Sequence, residues 1–229
     1  MIPGIDSFRE KFKDYTDYYT IIGGTACDIL LSEADLPFRA TKDIDMILIM
    51  EDNFPEFASV FWEYIKEGGY KCGWKNEHNM HFYRFTEGKF GYPTMIELFS
   101  RKPGYHLEIE EGIIPIHIDE DTSSLSAILL NDDFYKFMMA GRKVVDGIGI
   151  LGAEHLIPFK MYAWINLLDR KRAGEHVNEK DLKKHKYDVF RLLQIVTAGT
   201  KVESEVRLLQ MGMPFDRDRG VELLKEIYL

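Results

Sequence analysis

Cysteine is scarce in this chain, because Cys27 and Cys72 are the only two among 229 residues. They lack the close spacing of zinc ligands, and they are too few to build a disulfide framework. We therefore expect neither a structural zinc site nor a disulfide-stabilised fold. Sparse, unpaired cysteines are typical of proteins in a reducing compartment, which predicts a cytoplasmic location.

Long hydrophobic runs are also missing. No stretch approaches the roughly 18 consecutive apolar residues that cross a bilayer. Residues 1–6 do not combine a basic region with an apolar run, so they do not resemble a secretory signal. We expect a soluble protein that has no membrane partner.

Basic charge is outweighed by acidic charge, with 29 Lys and Arg against 38 Asp and Glu and a net charge of −9. Such a chain lacks the overall positive charge with which proteins grip a nucleic acid backbone, so this partner is disfavoured. Residues 169–186 form a local exception that is rich in Lys and Arg. This stretch either faces an anionic ligand or is a solvated helix face.

What remains is the composition of a globular protein, with 45% hydrophobic and 29% charged residues. Periodicity and turn residues predict strands and helices in mixed order in the first half. The predicted strands are 18–22, 44–50, 70–74, 78–86 and 94–99, and the predicted helices are 7–15, 26–33 and 54–67, the second capped by Thr25.

Helical periodicity dominates from residue 131 onward. The predicted helices are 132–142, 153–170, 179–197, 201–210 and 217–227, with a short strand pair or loop at 144–151. The sequence therefore predicts an α+β protein. Residues 1–130 form a small mixed sheet flanked by helices, and residues 131–229 form a mostly helical part.

Two carboxylates open the second predicted strand, in the segment Asp43-Ile44-Asp45. Side chains two residues apart point to the same face of a strand, so both negative charges share one small volume. Their repulsion is relieved by a cation, and hard carboxylate oxygens suit Mg²⁺ or Mn²⁺. Asp43 and Asp45 are therefore candidate metal ligands.

The turn at Gly23 and Gly24 joins a predicted strand to a helix N-terminus. Backbone N–H groups at such an N-terminus attract anions, and glycine lets a phosphate approach closely. Thr25 adds a hydroxyl. Gly23, Gly24 and Thr25 are therefore candidate phosphate-binding residues, with a purely structural glycine turn as the alternative.

Together these two segments resemble a known family. Ile22-Gly23-Gly24-Thr25-Ala26, followed by Arg39-Ala40-Thr41-Lys42-Asp43-Ile44-Asp45, is similar to the signature of the nucleotidyltransferase (polymerase-β-like) superfamily. The arginine and threonine ahead of the carboxylate pair most resemble AbiEii-type toxins and related prokaryotic nucleotidyltransferase-like proteins. The resemblance covers residues 21–50 well and the helical half more weakly.

The resemblance implies further site residues. A third acidic ligand is expected on a later strand, and Glu97 in the apolar segment 95–99 is the candidate, unless alternation turns it to solvent. A lysine and an aspartate on later helices are expected near the triphosphate. Lys160 and Asp188 are the candidates, with Asp181 an alternative to the latter and ordinary helix-surface residues the alternative for all of them.

The function that follows from the resemblance is metal-dependent transfer of a nucleoside monophosphate from a nucleoside triphosphate to an acceptor. The acceptor is RNA, protein or a small molecule, and Asp43, Asp45 and Glu97 are the expected catalytic residues. An AbiEii-type protein would be a toxin with an antitoxin partner. Two alternatives remain, a nucleotide- or partner-binding module without turnover, and an enzyme acting on aminoglycoside-type compounds, whose positive charge an acidic surface attracts.

Overall fold

The computed structural model describes residues 2–49, 54–73, 83–100, 106–109, 112–115 and 132–197. Within them the helices are α1 (Ile5–Phe12), a 3-10 helix (Lys13–Tyr18), α2 (Gly23–Glu33), α3 (Phe54–Gly68), α4 (Asp132–Ala140), α5 (Ala153–Arg172) and α6 (Glu179–Leu193). The strands are β1 (Tyr19–Ile22), β2 (Asp43–Leu48), β3 (Lys71–Gly73), β4 (Tyr83–Thr86), β5 (Met95–Ser100), β6 (His106–Ile109), β7 (Gly112–Pro115), β8 (Arg142–Val145) and β9 (Ile148–Leu151).

Seven strands form one mixed sheet in the order β3-β4-β5-β2-β1-β9-β8, and β6 and β7 form a separate hairpin. The pairs β2 with β5 and β1 with β9 are parallel, and the remaining neighbours are antiparallel. The prediction of an α+β protein with a mixed sheet flanked by helices is confirmed.

One face of the sheet is covered by aromatic side chains of α1 and α3. Phe8 and Phe12 lie one helical turn apart, as do Phe57 and Phe61, so each pair points from its helix to the same side. Phe12 contacts Phe57, Phe61 and the ring of Tyr19 on β1, at centroid distances of 5.8, 6.1 and 6.2 Å. All five side chains are buried. At roughly 1.5–3 kcal/mol for each buried ring, this layer fixes the strands that carry the site.

The opposite face is covered by α2, α5 and α6, which contact one another. Because strand side chains alternate, Ile44 and Met46 lie buried on the aromatic face. Asp43 and Asp45 consequently lie on the face toward α2. Among the described residues, no helix combines the length and the apolar character that crossing a membrane needs.

Two local expectations change. Helix α2 begins at Gly23, so the prediction of Thr25 as its capping residue is wrong: the threonine hydroxyl instead donates a hydrogen bond to the carbonyl of Asp43. The strand pair expected at 144–151 forms as β8 and β9, and it belongs to the main sheet because β9 pairs with β1. The division at residue 130 stays a prediction, and the helices expected at 201–210 and 217–227 lie outside the described residues.

Candidate active site

The three carboxylates expected from the sequence lie together on one sheet face. In the parallel pairing of β2 with β5, Asp45 is directly opposite Glu97, and Asp43 is opposite Met95. Residues directly opposite each other on neighbouring strands point to the same side. Asp43 and Asp45 are half-buried, and the Glu97 side chain is 12% exposed. Glu97 therefore does not point to solvent.

Burial disfavours the charged form of both aspartates, and repulsion from Glu97 adds to this effect at Asp45. Burial, followed by the charge of Glu97, raises the pKa of Asp45 to about 7. Burial also raises the pKa of Asp43, against the opposing charges of Lys184, Arg84 and Lys42. Nearby positive side chains partly offset these effects and favour the charged forms.

Arg84, which is not among the site residues predicted from the sequence, already supplies one positive charge. It lies on β4 directly opposite Glu97, and its Nε and Nη2 atoms contact Oε1 of that carboxylate. Across the described part of the chain, no group of three or more His, Cys, Asp or Glu is arranged to hold a metal ion. As it stands, Glu97 is thus bound to Arg84 rather than gathered with the aspartates around one point.

The diglycine turn is packed against the same carboxylates. A Cβ on Gly23 would lie 1.9 Å from Oδ2 of Asp45, and φ at Gly23 is +71°, a conformation that favours glycine. A Cβ on Gly24 would lie 2.9 Å from Oγ1 of Thr41 and 3.1 Å from Nη2 of Arg39. A side chain at either position would therefore force its neighbours to move, which agrees with the structural alternative considered from the sequence.

The N-terminus of α2 has no side-chain cap. Its N-cap residue, Ile22, makes no side-chain capping hydrogen bond, and the first turn contains no acidic residue. The first N–H groups of a helix have no partner within the helix, and the helix dipole places partial positive charge there. Asp45 lies beside this positive end, because its Oδ2 atom occupies the space where a Cβ of Gly23 would be.

Lys160 and Asp188, the two candidates from the helical half, bind each other. Lys160 Nζ donates to Oδ2 of Asp188 at 3.0 Å. Arg39 donates to the same carboxylate twice, from Nε to Oδ1 at 3.0 Å and from Nη2 to Oδ2 at 2.9 Å. The Asp188 side chain is fully buried and that of Lys160 is 3% exposed. We call Arg39, Lys160 and Asp188 the buried charge cluster.

Asp188 is held in its charged form by this cluster. Burial alone would raise the pKa of Asp188, but the hydrogen bond from Arg39 and the charge of Lys160 outweigh burial, so the pKa is lowered. A buried carboxylate bound by two cations is fully engaged. Its geometry identifies Asp188 as a partner of Arg39, and a contact to a nucleotide stays a prediction.

The basic stretch at 169–186 was predicted either to face an anionic ligand or to be a solvated helix face, and different residues of it fit each interpretation. Much of it is a solvated surface, with ion pairs between Arg170 and Glu175 and between Lys171 and Glu179. Lys184 is different, because it is one helical turn before Asp188 and its charge acts on both Asp43 and Asp45. One lysine of the stretch therefore faces the carboxylates.

Sequence reasoning missed the site roles of Arg39, Arg84 and Lys184. Arg84 carried a weak signal, since it is a charged residue between the aromatic positions 83 and 85 of a strand. Lys184 carried another, being four residues before Asp188 on one helix face. Arg39 was visible only as part of the family signature. His78 and His81, for which no metal site was expected, lie outside the described residues.

Two solved structures are similar in fold to this chain. An antigenic nucleotidyltransferase-like protein from Paracoccidioides brasiliensis is similar over 96% of this chain and 89% of its own, with a TM-score of 0.48 and 14% identity. The antibiotic-resistance factor ANT(2'')-Ia is similar over 98% of this chain and 95% of its own, with a TM-score of 0.40 and 12% identity.

No family model matches the chain, and no curated protein matches its sequence. The AbiEii-type branch stays a prediction.

Proposed function

We propose that this protein is a metal-dependent nucleotidyltransferase that uses a nucleoside triphosphate as donor. One observation carries the proposal: Asp43, Asp45 and Glu97 share one sheet face, with Asp45 against the N-terminus of α2. Acidic metal ligands beside a helix N-terminus suit a ligand that contains both a cation and phosphates. A magnesium–triphosphate complex is such a ligand.

Asp43 and Asp45 have the chemistry to hold the cation, Mg²⁺ or Mn²⁺. They offer hard oxygen donors on one face, and burial, followed by the charge of Glu97, raises the pKa of Asp45, so that a nearby divalent ion would stabilise its charged form. Both contacts from Arg84 are to Oε1 of Glu97, so Glu97 would serve as a third ligand either through its other oxygen or after leaving Arg84. When bound, the ion neutralises charge on the triphosphate and on the oxygens of an in-line displacement.

The residues of the chain would divide the remaining work. Lys184 lies near the carboxylates and is placed to attract the phosphates, together with the N-terminal end of α2. Glu97 is placed to accept the proton of the attacking hydroxyl group once Arg84 releases it. Lys160 would act on the triphosphate through its charge, because its Nζ atom is already bound to Asp188.

The net charge of the protein favours some classes of acceptor over others. At a net charge of −9, the protein attracts cationic compounds and repels free polyanions. This favours an aminoglycoside-like or other cationic small molecule over RNA, and it is compatible with a basic protein surface. A toxin with an antitoxin partner remains the proposal that follows from the AbiEii-type resemblance.

A second candidate function is nucleotide binding without turnover. It is favoured by the engagement of Glu97 with Arg84 and by the lack, within the described residues, of a ready three-ligand metal group. Such a module would bind a triphosphate with Mg²⁺ and release no pyrophosphate. Isothermal calorimetry with each of the four common nucleoside triphosphates, with and without Mg²⁺, measures the binding.

Labelling tests the enzymatic proposal. The protein is incubated with Mg²⁺ and cell extract, and with triphosphates labelled at either the α- or the γ-phosphate, before RNA, protein and small molecules are separated. We expect α-label in one of these fractions. Asp43→Asn and Asp45→Asn should abolish the transfer, whereas Asp181→Asn, on the first turn of α6, should not. Equal transfer by wild type and both site variants would contradict the proposal.

A further inference from the structure

The buried charge cluster holds more positive than negative charge. Arg39 and Lys160 both bind the single carboxylate of Asp188, so one positive charge is left over. Asp188 is the carboxylate that both cations share, and the side chain of Arg39 is 24% exposed. A buried excess charge of this kind acts over several ångströms, because little water screens it.

Two titratable groups beside the cluster, Cys27 and His185, carry no charge at neutral pH. The Cys27 thiol is neutral, since burial raises its pKa to about 11. The His185 imidazole is also neutral, since burial and the charge of Lys160 lower its pKa to about 3. Arg191, with Nη1 3.8 Å from Oδ1 of Asp188, adds a further partly exposed positive charge. The cluster therefore stays net positive at neutral pH.

This positive charge lies across the diglycine turn from Asp45. Nη2 of Arg39 is 3.1 Å from the Cβ position of Gly24, and Oδ2 of Asp45 is 1.9 Å from that of Gly23. The two glycines are adjacent, so the guanidinium and the carboxylate are separated by little more than a backbone turn. Asp45 and Arg39 consequently act on each other electrostatically, as do Asp45 and Lys160.

We propose that the buried charge cluster keeps bare divalent cations from binding tightly at Asp43 and Asp45, so that the metal binds well only together with a polyphosphate. This inference rests on the proposed function. A cation meets the excess positive charge and is disfavoured, whereas a triphosphate brings negative charge that the cluster attracts. Binding of metal and binding of triphosphate are then positively coupled, each favouring the other by the same factor.

The pairing of Glu97 with Arg84 supports this inference independently. A site built to hold a metal alone would have its carboxylates converging on one point, but Glu97 is bound to a cation of the protein. The carboxylates are thus balanced by side-chain cations from two directions, Arg84 on β4 and the cluster on the other side. A divalent ion alone must compete with both.

The test measures the affinity of the complete, nucleotide-free protein for Mn²⁺ by electron paramagnetic resonance. Lys160→Met removes one positive charge but leaves Asp188 bound by Arg39, so Mn²⁺ should bind at least about tenfold more tightly, or about 1.4 kcal/mol. Asp188→Asn removes the negative charge and should weaken Mn²⁺ binding. Lys183→Met, on the exposed side of α6, should leave the affinity unchanged.

Opposite signs for the two cluster variants distinguish charge from a merely structural role. Loss of affinity in both, or no change in both, would overturn the inference, and thermal unfolding of each variant confirms that it is folded. If Asp188→Asn does not fold, Lys160→Met alone decides by the direction of its shift. Binding of a fluorescent triphosphate analogue to wild type in the presence of Mn²⁺ is measured separately. If the analogue does not bind, the proposed function is contradicted rather than this inference.

Discussion

Replacing Gly23 by alanine tests whether the diglycine turn exists to accommodate Asp45. The new Cβ would lie 1.9 Å from Oδ2 of Asp45, and ordinary contact begins at 3.4 Å, so the oxygen must move by about 1.5 Å. Turning the aspartate away from its rotamer costs about 0.5–1.5 kcal/mol. The left-handed φ of +71° adds roughly 1–2 kcal/mol for any residue with a Cβ.

A matched control separates these two costs. Gly174, after α5, has φ of +86° and nothing within 4 Å of its Cβ position, so Gly174→Ala incurs the backbone cost alone. Both substitutions lower the entropy of the unfolded chain equally, and that effect cancels in the comparison. We expect losses of roughly 1.5–3.5 kcal/mol for Gly23→Ala and roughly 1–2 kcal/mol for Gly174→Ala.

The free energies of unfolding are measured in urea, and Mn²⁺ and triphosphate binding are measured on the same samples. Gly23→Ala should also lose binding, because Asp45 no longer lies beside the N-terminus of α2. Gly174→Ala should bind as wild type does. If Gly23→Ala is no less stable than Gly174→Ala and binds normally, the turn does not serve to position Asp45.

Three further predictions concern charge. The raised pKa of Asp45, about 7 through burial and the charge of Glu97, makes the folded protein keep a proton that the unfolded chain releases above 3.8, so stability falls as pH rises between these values. Asp45→Asn should therefore be more stable than wild type by roughly 1–4 kcal/mol at pH 8 in EDTA and equal near pH 4, by urea unfolding. His185 acts in the opposite sense: burial and the charge of Lys160 lower its pKa to about 3, so the unfolded chain gains a proton that the folded protein does not, and stability falls as pH drops below 6.5. His185→Gln should reduce the stability difference between pH 7 and pH 5 by roughly 1–2 kcal/mol, and an unchanged difference would contradict the cause. A double-mutant cycle of Arg84→Gln and Glu97→Gln should give a coupling energy of about 1–3 kcal/mol, whereas additive losses would mean that the pair contributes nothing.

The arrangement of the carboxylates could be predicted from the sequence because it depends on local rules. A strand places Asp43 and Asp45 on one face, and an acid within an apolar strand, Glu97, is costly unless it faces a polar neighbour. The fold class followed in the same way from periodicity and from the glycine turn. These features are properties of single segments or of neighbouring ones.

The partners of the site could not be predicted, because they depend on strand register and on contacts distant in sequence. Arg84 meets Glu97 only because β4 is antiparallel to β5 in one register, and a shift by one residue would turn the arginine to the other face. Arg39 and Asp188 are 149 positions apart. No periodicity in either segment indicates that pair.

The sequence predicts a structural role for Thr25, but the role it predicts, capping of the helix, is wrong. A threonine before a helical segment is typical of an N-cap, which is the role expected from the sequence. Gly23 accepts a positive φ, so the helix starts three residues earlier than predicted and the hydroxyl of Thr25 binds the Asp43 carbonyl. The local rule failed because tertiary contact with β2 offered a better partner.

The charges around the carboxylates come from both the sheet and the helices packed on it. Lys160 and Lys184 lie on α5 and α6, whereas Arg84 and the carboxylates lie on the sheet. If α5 and α6 separated from the sheet, Arg39 would lose Asp188, and Asp45 would lose the charges of Lys160 and Lys184. Substituting one partner of a buried ion pair while the other stays buried costs about 3–5 kcal/mol, which is a large share of the 5–15 kcal/mol that stabilises a typical domain. A substitution of Asp188 that leaves Arg39 and Lys160 in place is therefore expected to destabilise the packing of the helices on the sheet as well as to change the charge beside the proposed site.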